Sequence, residues 1–208
     1  MSFRKLLPSL AVFVLLFARA SHAQLGLYGT FDGERVTGFT CHDATDRCGS
    51  PDGVSRPYGG KFGAFYDFRT IGRVRLGADL RGNVFNANKS AVLFQGGSGV
   101  NKFYGILGGV RATTNLPISI LHPYAEVAAG LARSNADSYL PGTSNGATVP
   151  ATQIYSNYTQ VEGLVGLDIT ILPYLDLRAV EFGAGALFGT NTHSVESIGG
   201  GVVFHLPR

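Results

Sequence analysis

The sequence predicts an all-β chain: an eight-stranded antiparallel up-and-down β-barrel that crosses a membrane. Three observations carry this. Segment after segment alternates apolar and polar residues with a period of two, as in Val74–Val84, VRLGADLRGNV, and a strand turns such alternate residues to opposite faces. The links between segments alternate between short and long, the habit of membrane barrels. The polar face is rich in Gly and Ala as well as charges, which suits a narrow closed lumen better than a water-facing surface.

The first 23 residues stand apart. Arg4 and Lys5 precede the apolar run 6–17, and Ala20-Ser-His-Ala23 offers a small-residue cleavage site. That is the pattern of a secretory signal peptide. The run is short for a bilayer-spanning helix, which needs about 20 apolar residues. The expected organisation is therefore a signal peptide, 1–23, and one barrel domain, 24–208. The full chain has 17 Lys+Arg against 14 Asp+Glu, a net charge of +3. Arg4, Lys5 and Arg19 account for that excess, so no basic surface is left to suggest a nucleic-acid partner.

From Gln24 onward, eight alternating segments follow: 24–37, 58–70, 74–87, 101–114, 120–134, 158–171, 175–188 and 193–206. Each is long enough for a tilted strand to span an outer membrane, which takes about 9–11 residues. In the second, Phe62, Ala64, Tyr66 and Phe68 oppose Lys61, Gly63, Asp67 and Arg69. In the fifth, Leu121, Ala125, Val127 and Leu131 oppose His122, Tyr124, Glu126 and Gly130. In the sixth, Val161, Val165, Leu167 and Ile169 oppose Gln160, Glu162, Gly166 and Asp168. The short links, 71–73, 115–119 and 172–174, are expected on the periplasmic side. The links 38–57, 88–100, 135–157 and 189–192 are expected outside.

The polar register must face inward, since an arginine on lipid near the midplane costs roughly 2–4 kcal/mol. It places the bases Lys61, Arg69, Arg75, Arg81, Arg111 and Arg178 in the lumen, with the acids Asp67, Asp79, Glu126, Glu162, Asp168 and Asp176. Six against six suggests a lumen plugged by paired charges, because buried charges are tolerable only when paired and hydrogen-bonded. The tight turn at 172–174 aligns Asp168 with Arg178 as a cross-strand ion pair. Lys61, Arg69, Arg75 and Asp176 lie near strand ends, where a watered rim is the alternative; a polar path for small ions is the functional alternative.

The segments YGGKFGAFYDF (58–68), VRLGADLRGNVF (74–85), HPYAEVAAGLA (122–132), GLVGLDITILPYLDLRAVEF (163–182) and IGGGVVFHL (198–206) together span nearly the whole barrel. In order and spacing the chain resembles the small bacterial outer-membrane barrels of the OmpA-like transmembrane type. The resemblance implies an eight-stranded barrel in the Gram-negative outer membrane and a partnership with its lipid, lipopolysaccharide and barrel-assembly machinery. It does not imply one activity, because members include anchors, adhesins, small channels and lipid-modifying enzymes. Two departures stand out. The chain ends FHLPR, so Phe204 is the aromatic nearest the usual terminal position. Trp is absent, leaving Tyr58, Tyr66, Phe68, Tyr104, Tyr174 and Phe204 to form the interfacial aromatic belts.

Among motifs that could carry chemistry, Cys41 and Cys48 bracket CHDATDRC in the first external loop. In an exported chain two cysteines make one bridge, stabilising so short a loop by roughly 2–3 kcal/mol. A metal site using His42 and Asp43 or Asp46 with the two thiols is the sharper reading, but the spacing fits no common zinc pattern. His193-Ser194 invites comparison with a hydrolase, yet neighbours on a strand point to opposite faces; a solvated strand end is the plainer expectation. The run 95–99, QGGSG, lacks the Lys of a phosphate loop. The sequence thus predicts no catalytic residue, metal or cofactor. It predicts a monomeric anchor displaying loops 38–57 and 135–157 to an unidentified external ligand. A narrow channel comes second and a lipid-modifying enzyme third.

Overall fold

The computed structural model describes residues 24–37, 54–88, 100–114, 116, 120–134, 142–144, 147–149, 155–190 and 192–206. The segment 1–23 and the cysteines Cys41 and Cys48 lie outside the described residues.

Eight long strands form the wall: β1 Gln24–Thr37, β2 Tyr58–Ile71, β3 Val74–Asn88, β4 Val100–Thr114, β5 Leu121–Ser134, β6 Ser156–Leu172, β7 Leu175–Phe188 and β8 Thr192–His205. Each pairs antiparallel with its sequence neighbours, and β1 also pairs with β8, so the sheet closes and the long strands leave no open edge. Val54–Ser55 adds a two-residue bridge to β1. Gly142–Ser144 and Ala147–Val149 form a separate small hairpin. The tight turn between β2 and β3 is made by Gly72, whose φ of 61° suits a residue without Cβ.

The ladder climbs as it goes round. From Leu27 it runs through Ala64, Leu80, Gly108, Ala129, Val161, Ala186 and Ser194, then returns to β1 at Thr37 rather than Leu27. Such a stagger tilts the strands against the barrel axis and fixes a narrow bore that side chains can fill.

The two faces are inverted relative to a soluble protein. Leu27, Phe31, Phe62, Leu80, Ile106, Val127, Val165 and Val202 stand exposed on the outside, while Lys61, Arg81, Glu126, Asp168 and Arg178 are buried within. Lipid covers such an outer face, and the protein interior holds the polar atoms. This is an eight-stranded transmembrane β-barrel. The eight wall strands match the segments expected from periodicity, with ends differing by a residue or two.

Three of the strands carry bulges. β2 slips against β3 between Asp67 and Arg69; β7 slips between Arg178 and Val180 against β6, and between Arg178 and Glu181 against β8; β6 and β7 also slip between Leu175 and Asp176. A bulge inserts a residue and exchanges the faces of everything beyond it. These irregularities decide several positions in the lumen.

Candidate functional site

The lumen is built in layers. Its middle holds a connected charge lattice. Arg178 on β7 grips Asp168 on β6 with two nitrogens, Nε to Oδ1 at 2.9 Å and Nη2 to Oδ2 at 3.3 Å. Its Nη1 donates to Glu181 Oε2 at 2.9 Å. Arg111 donates from Nη2 to Asp168 Oδ2 at 2.6 Å. Arg81 reaches Glu126 at 2.7 Å, Asp79 at 3.2 Å and Glu181 at 3.3 Å. Lys61 donates to Glu162 at 3.2 Å and Ser197 at 2.9 Å, and its Nζ lies 3.9 Å from Glu181. Glu181 therefore faces three cations and also accepts the hydroxyl of Tyr124.

Aromatic rings fill the space between these groups. The Arg178 guanidinium lies 4.5 Å from the Tyr28 ring centroid and 4.6 Å from that of Tyr124. Arg111 lies 4.2 Å from Phe65 and 4.0 Å from Tyr124. Guanidinium is planar and weakly hydrated, so it tolerates such sandwiching better than an ammonium would. Two glycines make the room. A Cβ on Gly63 would come within 2.5 Å of the Tyr28 hydroxyl, and one on Gly166 within 2.5 Å of the Tyr124 ring.

At the short-turn end, Arg75 lies 3.6 Å from Asp67, and His205 lies 2.7 Å from Asp176. At the long-loop end the chemistry changes. Val36, Phe85, Phe103, Ala132, Tyr158, Leu187 and Val195 come from seven strands, all but β2, and form one buried apolar cluster across the lumen. His193 is buried there, its ring edge-on to Tyr158 at 5.5 Å.

Two crystal structures align along almost their whole length with this chain. Neisserial surface protein A matches with a TM-score of 0.53 at 14% identity, covering 88% of this chain and 99% of that one. Ail, the attachment invasion locus protein of Yersinia pestis, solved with the heparin analogue sucrose octasulfate, matches with a TM-score of 0.53 at 13% identity, covering 88% and 99%. The chain has the fold of the small outer-membrane β-barrels. No protein-family model matches it, and no curated protein matches it in sequence.

Within this barrel fold, eleven of the twelve sequence-expected lumen charges lie on the inner register, Arg75 among them but only partly covered. The Asp168–Arg178 register pair forms. Arg69 does not face the lumen: the bulge after Asp67 pairs it with Leu76 and leaves it exposed. Lys61 and Asp176, placed near a watered rim as an alternative, are buried.

Asp32, Glu34 and Glu181 also face inward, and the sequence reading missed all three. Strict alternation from Leu175 would put Glu181 on lipid, but Ala179 and Val180 together occupy the outward step and return Glu181 to the lumen. The signal was present: Leu177 faces out on an odd number, whereas Phe182 and Phe188 face out on even ones. With these acids the balance is not six against six. Among the described residues, nine buried carboxylates share the lumen with four buried Lys and Arg side chains, and Arg75 is partly covered.

His193 and Ser194 face opposite ways. His193 is buried, not a solvated strand end, because its register continues into the lumen; Ser194 faces out and hydrogen-bonds Thr37. Of the belt residues, Tyr58, Phe68, Tyr104, Tyr174 and Phe204 are exposed on the outer face, and Tyr66 is half-buried. Tyr58 and Tyr104 mark the long-loop end. Tyr174 packs against Phe204 at 5.7 Å at the short-turn end.

Proposed function

We propose that this chain is a monomeric outer-membrane anchor that displays its long loops, 38–57 and 135–157, to an external ligand, and that its lumen is closed. One observation carries the reading: the bore is filled at two successive levels, first by the charge lattice and then by the apolar cluster. A solute entering from either side meets bonded guanidinium groups or packed rings. The surface role rests on the loops, where barrels of rigid wall carry specificity.

In this reading residues 1–23 are cleaved during export, the assembly machinery reads Phe204, and a Cys41–Cys48 bridge staples the first external loop. Lipid and lipopolysaccharide cover the outer face. The chain is not an enzyme, and the separation of His193 from Ser194 supports this, because a base cannot activate a hydroxyl through the wall.

The test is single-channel recording of purified, refolded protein in planar bilayers, beside Arg178→Ala and a porin-free control. Silence is expected from the wild type. Reproducible steps that change with Arg178→Ala would replace this reading with that of a narrow ion channel. Recovery in the soluble periplasmic fraction, with no gel shift on boiling, would remove the membrane assignment itself.

A further inference from the structure

Between the charge lattice and the apolar cluster lies a layer whose polar atoms the protein does not satisfy. Glu34 on β1 is only 4% exposed, and neither carboxylate oxygen has a hydrogen-bond partner. Two residues away, Asp32 is buried; Thr30 donates to its Oδ2, but its Oδ1 has no partner. Asn83 on β3 and Gln160 on β6 are fully covered, and the side-chain carbonyl oxygen of each is also without a donor. Among the described residues the base that reaches this level, Lys61, is bonded to Glu162 and Ser197. Counting Asp32, Glu34 and Glu162 against Lys61, the layer has two more carboxylates than ammonium groups.

Lone buried carboxylates are costly, and proteins normally pair them or use them to bind a cation. Backbone space has been cleared for one of these acids: a Cβ on Gly199, directly opposite Asp32 on β8, would fall 1.8 Å from Asp32 Oδ1. The apolar cluster seals the layer from the long-loop side, since Val36 follows Glu34 on the same face of β1 and Val195, its partner, precedes Ser197 on the same face of β8.

We propose that this layer binds a monovalent alkali cation, with Glu34 and Asp32 as its charged ligands and the amide oxygens of Asn83 and Gln160 as neutral ones. All four groups offer oxygen, the donor that hard cations take. Among the described residues no three acidic or histidine side chains converge tightly enough to hold a metal ion. A divalent ion such as magnesium gives up its water reluctantly, as this packed and sealed layer would require; a singly charged alkali ion gives it up more readily.

The experiment uses the barrel refolded separately in sodium, potassium and N-methylglucamine chloride at equal ionic strength. N-methylglucamine is an organic cation much larger than either alkali ion. A cation bound only by the folded barrel raises its unfolding midpoint. Urea midpoints are expected to be higher in the alkali salts. Glu34→Gln removes the difference, while Glu196→Gln, on the outer face, keeps it. Equal midpoints of the wild type in all three salts would overturn the proposal and mean that Glu34 carries its own proton or is met by water. Should Glu34→Gln fail to fold, crystals of the wild type grown in rubidium chloride decide the matter. An anomalous peak touching the Glu34 and Asp32 carboxylates supports the site, and its absence overturns it.

Discussion

The middle of the lumen and its long-loop end are both filled, but by opposite chemistry. In the middle, four cations and their carboxylates must each find a partner at hydrogen-bond distance, and the partners come from β2, β3, β4, β5, β6 and β7. At the long-loop end, side chains such as Phe85, Phe103 and Leu187 need only to occupy volume. Charge pairing is directional and fails as a unit when one member is lost. Apolar packing has no direction and tolerates exchange at constant volume. The lattice therefore specifies register, and the apolar cluster closes the bore.

The strongest way to break this comparison is to remove the hub of the lattice. Glu181→Gln keeps the shape but leaves Arg81, Arg178 and Lys61 around a neutral group. A loss of about 3–5 kcal/mol is expected, as for other buried pairs stripped of one partner. Urea unfolding followed by circular dichroism measures it, since the chain has no Trp for fluorescence. A loss below about 1 kcal/mol, the scale of exposed pairs, would mean that water already reaches Glu181.

Conservative exchanges sharpen the contrast. Arg178→Lys retains the charge but loses the two-pronged grip on Asp168 and the stacking between Tyr28 and Tyr124. It is expected to cost about 2–3 kcal/mol, the range for a hydrogen bond to a charged group lost without replacement. Leu187→Met in the apolar cluster is expected to cost less than about 1.5 kcal/mol. Equal costs in the same urea series would erase the distinction between the two layers.

Legibility in the sequence followed the same division. Every wall strand could be read, because lipid outside and charge inside enforce a period of two along each strand. The Asp168–Arg178 partnership could be read from a three-residue link at 172–174; in the structure Leu172 pairs with Leu175, and the slip at Ile171 then brings Asp168 opposite Arg178. Glu181 could not be placed by alternation, since the bulge at Ala179–Val180 exchanges the faces. Arg69 was misplaced for the same reason on β2. The apolar cluster was overlooked for a different reason. Phe85, Phe103 and Leu187 lie on the inner register, but recognising a plug requires knowing that strand ends from around the barrel reach one height, and only the closed, staggered sheet supplies that.

The bulge itself offers the next test. Deleting Ala179 leaves Val180 as the single outward residue between Arg178 and Glu181, so both charges still face in. The barrel should assemble, with stability within about 1 kcal/mol of the parent, the scale of a local ladder irregularity in which no side chain changes face. Deleting Ala184, where the ladder is regular, gives the opposite result. It exchanges the faces on one side of the cut and should abolish heat-modifiable folding on gels. If both deletions fail alike, the extra residue is needed for the twist it introduces and not merely tolerated.

The smallest effect belongs to the one ion pair that, among the described residues, lies on the outside. Arg35 Nη1 approaches Glu196 Oε2 at 2.9 Å, with side chains 50% and 59% exposed. Both residues sit near the long-loop ends of adjacent strands, two pairs below Thr37 and Ser194. So near the loops water and salt are expected to reach the pair, and screening then removes most of the attraction. A double-mutant cycle with Arg35→Ala and Glu196→Ala should give a coupling below about 1 kcal/mol that fades with added salt. The same cycle on Arg178 and Asp168 should give several times more and ignore salt. A large, salt-insensitive coupling at Arg35–Glu196 would place that pair in the hydrocarbon, and the membrane boundary would then have to move past Arg35 toward the loops.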